Sequence, residues 1–69
     1  MKDHIKLDQF LKLQQIAATG GIAKMLIQDG IVQVNGEIET RRGRKLVNGD
    51  RVTVESQTFT VEFNETDLA

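Results

Sequence analysis

The chain contains no cysteine, no tryptophan and no tyrosine, and it has a single histidine. Without cysteine it can form neither a disulfide framework nor a thiolate zinc site, which is typical of proteins in a reducing compartment. None of its apolar runs approaches the roughly 20 residues that a membrane span requires, and the N-terminus has no apolar segment like that of a secretory signal. We therefore expect a cytoplasmic protein without a membrane partner, folded as one domain over residues 1–69.

The charge is unevenly distributed, although the net charge is only −1. Residues 1–51 contain nine lysines and arginines against six aspartates and glutamates, a net charge of +3. Residues 52–69 contain four carboxylates and no cation, a net charge of −4. Because a local patch sets the field that a ligand meets, this asymmetry permits a polyanionic partner.

Two short helices are predicted in the first 30 residues. Residues 7–20 have apolar side chains at helical spacing, with Asp8 as the N-cap. Thr19 can cap a second helix over residues 20–29, and Gly30 is well placed as its C-terminal stop. The predicted apolar faces consist of Phe10, Leu13, Ile16 and Ala17 in the first helix and Ile22, Ala23, Leu26 and Ile27 in the second.

After residue 30 the apolar period changes to two, which predicts about four short antiparallel strands. Asn35-Gly36 is a strong hairpin signal, with Ile38 on the return strand. A second tight turn is expected near Ser56-Gln57. Strand positions are predicted for Val52, Val54, Phe59, Val61 and Phe63. The predicted fold class is α+β, with two short N-terminal helices packed on a small antiparallel sheet and a frayed C-terminal tail.

A dense basic run follows the first predicted hairpin. Four of the five residues from Arg41 to Lys45 are cationic, namely Arg41, Arg42, Arg44 and Lys45. The planar fork of arginine suits phosphate, and lysine adds a mobile point charge. The alternative is a solvated loop balanced by the nearby Glu37 and Glu39, which are expected to face solvent. Because four like charges in five residues repel one another, we favour contact with nucleic acid.

The predicted helix pair offers a second cationic element. Lys12 and Lys24 lie on the polar sides of the two helices, and Thr19-Gly20-Gly21 forms a helix N-terminus whose bare backbone N–H groups a phosphate can approach. Alternatively, the glycines only permit a tight turn. A DNA-reading role is not expected, because the remaining polar residues of the second helix, Gln28 and Asp29, do not suit base recognition in the major groove.

Other chemistry has little support in the sequence. Phe10, Phe59 and Phe63 lie at expected core positions, so no aromatic platform is predicted for stacking single-stranded bases, which favours folded RNA. His4 lies near the terminus without an evident catalytic partner. We predict no enzyme activity, no cofactor and no metal site.

The segments "IKLDQFLK" and "TGGIAKMLIQDGIVQVNGEIETRRGRKLVNGDRVTV" resemble the S-four RNA-binding domain, also called the alpha-L motif. The resemblance covers about residues 5–55, and residues 56–69 are left for a C-terminal hairpin and the tail. "QFLKL" and "ETRRGRKL" are similar to the small YaaA-like bacterial members. The matching positions are Lys6-Leu7-Asp8, Leu11, Thr19, Ala23-Lys24, Ile27, Gly30, Val32, Val34-Asn35-Gly36, Gly49-Asp50 and Val52.

The resemblance implies RNA binding through the helix pair and the adjoining loop, on a surface that would include Lys6, Lys12, Thr19, Gly20, Lys24 and Asn35. Many members have an arginine where this chain has Gly20, so its positive charge is shifted toward the later loop. We predict a monomeric, non-catalytic binder of structured ribosomal or transfer RNA, with a ribosome-associated protein adaptor as the alternative. The predicted RNA-binding residues are Lys6, Lys12, Thr19, Gly20, Gly21, Lys24, Asn35, Arg41, Arg42, Arg44 and Lys45.

Two quantitative expectations follow from this prediction. Five or six phosphate contacts would give a slope of about −4 to −5 in a log–log plot of affinity against salt. Replacing Arg41, Arg42 and Arg44 with glutamate is expected to weaken RNA binding severely and to leave the fold intact.

Overall fold

The computed structural model describes residues 4–62, which form two helices and six short strands. Phe63 and the predicted tail lie outside the described residues. In chain order the elements are β1 (Ile5–Lys6), α1 (Leu7–Leu13), α2 (Gly20–Gln28), β2 (Val32–Val34), β3 (Glu37–Ile38), β4 (Lys45–Leu46), β5 (Arg51–Val54) and β6 (Gln57–Thr60).

The strands form two antiparallel sheets. The larger has four strands in the order β3-β2-β5-β6, as the fold-class prediction requires. The smaller pairs β1 with β4 and brings residue 5 beside residue 46. It was not predicted, because strands of two residues are too short to show an alternating pattern. This small sheet determines where the basic run lies.

The first helix is shorter than predicted and begins earlier. It starts at Leu7, and Asp8 is in its first turn instead of at the N-cap, where Lys6 stands. The helix ends at Leu13, because Gln15 adopts a left-handed backbone with φ +61°. The prediction that Leu13 belongs to the apolar face was wrong: its side chain is 47% exposed, and the chain after the helix supplies the contacts to the core.

The second helix agrees closely with its prediction. The Thr19 hydroxyl accepts a hydrogen bond from the Ile22 N–H at 3.2 Å, which satisfies one of the free donors of the first turn. Gly30 follows the helix with φ +77°, a conformation that favours glycine. Ala23 and Ile27 are fully buried as expected, whereas Ile22 is 38% exposed, so its assignment to the apolar face was wrong.

Both predicted hairpins are present. Asn35 and Gly36 have φ +54° and +85°, as a two-residue type I′ turn requires. The turn of the β5–β6 hairpin lies at Glu55-Ser56, one residue earlier than predicted. Val61 is buried just after β6, and Phe59 is only partly buried.

The core lies between the helix pair and the larger sheet. Its buried side chains include Phe10 from α1, Ile27 from α2 and Leu46 from the small sheet. Among the described residues, one charged side chain is buried with them: Glu39, only 6% exposed. The remaining buried core residues are Ile5, Leu7, Leu11, Ala17, Ala23, Val32, Val34, Val52, Val54 and Val61.

Candidate nucleic-acid interface

Residues 41–45, which we call the basic loop, are anchored to the start of the first helix. The carbonyl of Arg44 accepts a hydrogen bond from the Leu7 N–H at 2.8 Å, and the carbonyl of Arg42 accepts one from the Asp8 N–H at 3.1 Å. These carbonyls satisfy two donors that the helix itself leaves free. The N-terminus of α1 therefore holds the basic loop in place.

The small sheet brings Lys6 next to the basic loop. In the antiparallel register of β1 and β4, Ile5 lies opposite Leu46 and Lys6 lies opposite Lys45. The two apolar residues are buried and the two lysines are exposed. Like charges directly opposite one another destabilise a sheet, yet this register is enforced by burial of the apolar pair. Two predicted site residues, 39 positions apart in the sequence, are thereby brought together.

Glu39 contradicts the expectation of a solvent-facing carboxylate. It follows β3 and accepts hydrogen bonds from the backbone N–H of Arg41 at 3.0 Å, from its Nε at 3.1 Å and from its Nη2 at 3.2 Å. Arg44 adds a fourth hydrogen bond, from its Nη1 at 2.9 Å. Hydrogen bonds from Arg41 and, to a smaller extent, from Arg44 lower the pKa of Glu39 from its ordinary 4.5 to about 2, although burial acts to raise it.

The third arginine also has an acidic neighbour. Arg42 Nε lies 3.5 Å from Asp8 Oδ2, a contact between the basic loop and the first turn of α1. The alternative of a loop balanced by its own acids was therefore partly right, with Asp8 and Glu39 in place of Glu37 and Glu39. Balance is incomplete. The patch made by Lys6 and the basic loop has five cations against these two carboxylates, a surplus of three positive charges.

The lysines of the helix pair have a different setting. Lys12 is exposed in the last turn of α1, at the opposite end of that helix from the basic loop. Lys24 is exposed on α2. Within residues 4–62, no carboxylate lies at ion-pair distance from either lysine. A seven-residue helix is about 10 Å long, so roughly that distance along α1 separates Lys12 from the basic loop.

The two glycines at the start of α2 are not required by the fold. Neither Gly20 nor Gly21 has a positive φ. A Cβ added to Gly20 would meet nothing within 4 Å, and one added to Gly21 would lie 3.8 Å from the Thr19 hydroxyl. Alanine would fit at both positions and would favour the helix. The explanation that these glycines only permit a tight turn is therefore weakened.

Asn35 has a structural role in the hairpin turn. Its side-chain amide donates to Asp50 Oδ1 at 3.2 Å, and its side-chain oxygen accepts from the Arg51 N–H at 2.9 Å. These bonds tie the β2–β3 turn to the start of β5. The positive φ and the two hydrogen bonds explain an asparagine at this position without an RNA contact.

Residues 4–62 include no cluster of three or more side chains suited to a metal ion. Neither helix of that part of the chain is long and apolar enough to cross a membrane.

Residues 1–62 of this chain match the family model of the S4 domain. The chain belongs to the S4 domain family. This chain is 49% identical over 51 residues to "Probable ribosome maturation protein RlbA" of Bacillus subtilis (strain 168), and the match covers 74% of this chain and 72% of that protein. It is 40% identical over 50 residues to "Putative RNA-binding protein YbcJ" of Escherichia coli (strain K12), covering 72% and 71%. The family resemblance noted from the motifs is confirmed.

Solved structures confirm the fold class. The fold of this chain is similar to that of Vibrio cholerae heat shock protein 15, with a TM-score of 0.78 at 19% identity. The match covers 91% of this chain and 67% of that one. The TM-score of this chain with the 30S ribosomal protein S4e of Thermoplasma acidophilum is 0.72 at 16% identity. The match covers 96% of this chain and 35% of S4e, so the chain spans about a third of that protein.

Proposed function

We propose that this S4 domain is a non-catalytic protein that binds structured RNA, ribosomal or transfer RNA, and acts in ribosome assembly or translation. The observation that carries the proposal is the patch of Lys6 and the basic loop, with its surplus of three positive charges. RNA presents a regular array of phosphates to such a surface, and neutralising them releases counterions. Lys12, Lys24 and the glycine turn of α2 extend the surface.

The form of the surface favours folded RNA over single strands or DNA. Phe10 is buried and Phe59 partly buried, so no aromatic platform is exposed within residues 4–62 for stacking bases. The polar side chains of α2, Lys24 and Gln28 with the capping Asp29, do not form a helix suited to reading base edges. Cations that contact the backbone respond to the shape of a folded RNA.

The relatives' names support a ribosomal setting. RlbA is named for ribosome maturation and YbcJ for RNA binding. At 49% and 40% identity over most of both chains, these are relatives in sequence as well as in fold. The RNA-binding and ribosome-maturation names of these relatives also support the non-catalytic part of the proposal.

The test is a pair of charge reversals at the small sheet, Lys6→Glu combined with Lys45→Glu. Both side chains are exposed and neither has an ion pair within the described part of the chain, so the fold is expected to persist. Binding to bulk ribosomal RNA, measured by fluorescence anisotropy, should weaken more than tenfold and show a shallower salt slope. Arg51→Glu reverses one exposed cation on β5 outside the patch, and as the control it should weaken binding much less. Equal affinity of the double variant and the wild type would refute the proposal.

Replacing Arg41, Arg42 and Arg44 together with glutamate is a poor test of RNA binding, because it would also disturb the fold. Arg41 and Arg44 hold Glu39, which is nearly inaccessible to water. Their reversal would place two carboxylates against a third, so a loss of binding would be confounded by a loss of stability.

A protein-interaction adaptor is the second candidate. It is favoured by apolar side chains that α2 and the end of α1 leave exposed: Leu13, Ile22 and Met25. Pull-down of the full chain from a bacterial lysate, with and without nuclease, separates the two functions. A partner that is lost after nuclease treatment was held through RNA, whereas one that survives supports the adaptor.

A further inference from the structure

An open cavity of about 430 Å³ lies against the basic loop. It is lined by three cationic residues and one residue without a side chain: Arg41, Arg44, Lys45 and Gly43. No carboxylate lines it. Arginine and lysine around a small open space are a chemistry suited to a phosphate group.

Glu39 holds two of these cations from the inner side. Its Oε2 accepts from Arg41 Nε, and its Oε1 accepts from both Arg41 Nη2 and Arg44 Nη1. An arginine has five N–H donors, so these contacts leave three on Arg41 and four on Arg44. The side chains remain 76% and 32% exposed, respectively. Each guanidinium is therefore bound to Glu39 through only part of its donors, and each keeps further donors for a ligand.

We propose that this cavity binds a phosphate of the RNA backbone, and that Glu39 is the positioning residue which holds the guanidinium groups of Arg41 and Arg44 in its wall. The inference rests on the proposed function for the source of the phosphate. A guanidinium that is already fixed loses less side-chain entropy when it binds a ligand than one at the end of a freely rotating chain. Glu39 thus contributes to anion binding although it carries a negative charge itself.

This role predicts the opposite sign from simple electrostatics. If only net charge mattered, Glu39→Gln would add one positive charge to the patch and tighten RNA binding. If Glu39 positions the arginines, the same variant releases them and weakens binding. Glu39→Asp sharpens the distinction, because it keeps the charge but shortens the side chain, so it cannot maintain all four hydrogen bonds.

The experiment measures affinity for bulk ribosomal RNA as a function of salt for the full-length wild type and its variants. We expect Glu39→Gln and Glu39→Asp to weaken binding on the order of tenfold, the effect of losing about one charge-assisted hydrogen bond. Their salt slopes should become shallower by about one, because fewer phosphates are neutralised. A purely structural role would leave the slope of the folded protein unchanged. Glu37→Gln, an exposed carboxylate in β3, is the matched control and should bind as tightly as the wild type or slightly more tightly.

A second variant tests the cavity without disturbing Glu39. A Cβ added to Gly43 would meet nothing within 4 Å, and the φ of this residue is not in the left-handed region, so a side chain is accommodated there. Gly43→Gln places a neutral side chain beside the cavity and should weaken RNA binding. If Glu39→Gln fails to fold, as judged by circular dichroism, Glu39→Asp and Gly43→Gln carry the test.

Titration with inorganic phosphate, followed by NMR, separates this inference from the proposed function. In the wild type the amide signals of Gly43, Arg44 and Lys45 should shift, and in Glu39→Gln the shifts should be reduced or lost. Phosphate shifts without RNA binding would refute the proposed function and leave the cavity supported. RNA binding that is unchanged or tighter in both Glu39 variants would refute the positioning role and leave the function supported.

Discussion

The two cationic regions of this S4 domain differ in how their side chains are held. In the basic loop, Arg41 and Arg44 are fixed by Glu39, and Arg42 lies close to Asp8. On the helix pair, Lys12 and Lys24 have no acidic partner within residues 4–62. The first region therefore presents fixed, directional donors and the second presents mobile point charges. Geometry should matter most in the first and total charge in the second.

The largest expected effect comes from reversing the fixed arginines. Arg41→Glu with Arg44→Glu removes three of the four hydrogen bonds to Glu39 and leaves only the one from the backbone N–H of Arg41. The double variant also places two new carboxylates beside Glu39. We expect the free energy of unfolding, measured by urea denaturation, to fall clearly, because the nearly buried Glu39 would then face two further carboxylates. The matched pair Lys12→Glu with Lys24→Glu should cost less than about 1 kcal/mol. Similar losses in the two pairs would remove the distinction between the regions.

Acid should weaken the fixed region selectively. The pKa of Glu39 is lowered to about 2, so its stabilising contribution is complete above about pH 4.5 and is lost as the pH falls toward 2. The melting temperature of the wild type should therefore fall over this range more steeply than that of Glu39→Gln, which has no carboxyl group to titrate there. Melting curves by circular dichroism at each pH test this, and parallel pH profiles would contradict it.

The glycine turn of the helix pair is expected to trade stability for binding. Gly20→Ala with Gly21→Ala should raise the free energy of unfolding by about 1 kcal/mol or somewhat less, since both residues lie in the first helical turn. RNA affinity should fall, because the added methyl groups keep a phosphate from the backbone N–H groups. Urea denaturation and fluorescence anisotropy measure the two quantities. If affinity were unchanged, the glycines would have no part in the interface.

The smallest effect on stability is expected at the small sheet. Lys6→Glu converts a pair of like charges opposite Lys45 into a pair of opposite charges, which should stabilise the fold by about 0.5 kcal/mol. The same change removes one cation from the patch and adds an acid, so RNA binding should weaken. Greater stability with weaker binding would indicate that Lys6 contributes to RNA binding and not to the stability of the fold. A loss of stability would contradict the assigned register.

Much of the fold was predictable from local signals. The Thr19 cap, the Gly30 stop and the Asn35-Gly36 turn each depend on residues close together in the sequence, and all three are present. An error arose at the end of the first helix, which the left-handed backbone of Gln15 determines. Leu13 continues a helical apolar pattern, but the helix ends there and leaves its side chain exposed.

The candidate site was predicted as a set of residues, and its arrangement was not. Lys6 and Lys45 were both named, yet their pairing depends on a two-residue ladder without a sequence signature. Glu39 was noticed as a neighbour of the basic run and wrongly assigned to solvent, because alternation along a short strand does not reveal which acid a loop will enclose. Its spacing of two residues from Arg41 was the available signal.

The sequence by itself determined the helix boundary at Thr19, the main hairpin turns and the concentration of positive charge between Arg41 and Lys45, because these depend on backbone preferences and composition. Only the tertiary structure decided that this charge would be joined by Lys6, anchored to the start of α1 and held by a buried Glu39. The physical reason for the first two is that contacts between distant segments form only when burial of Ile5 and Leu46 brings those segments together. Glu39 is close in sequence to the arginines that bind it, and its burial depends on the path that the folded loop takes around it.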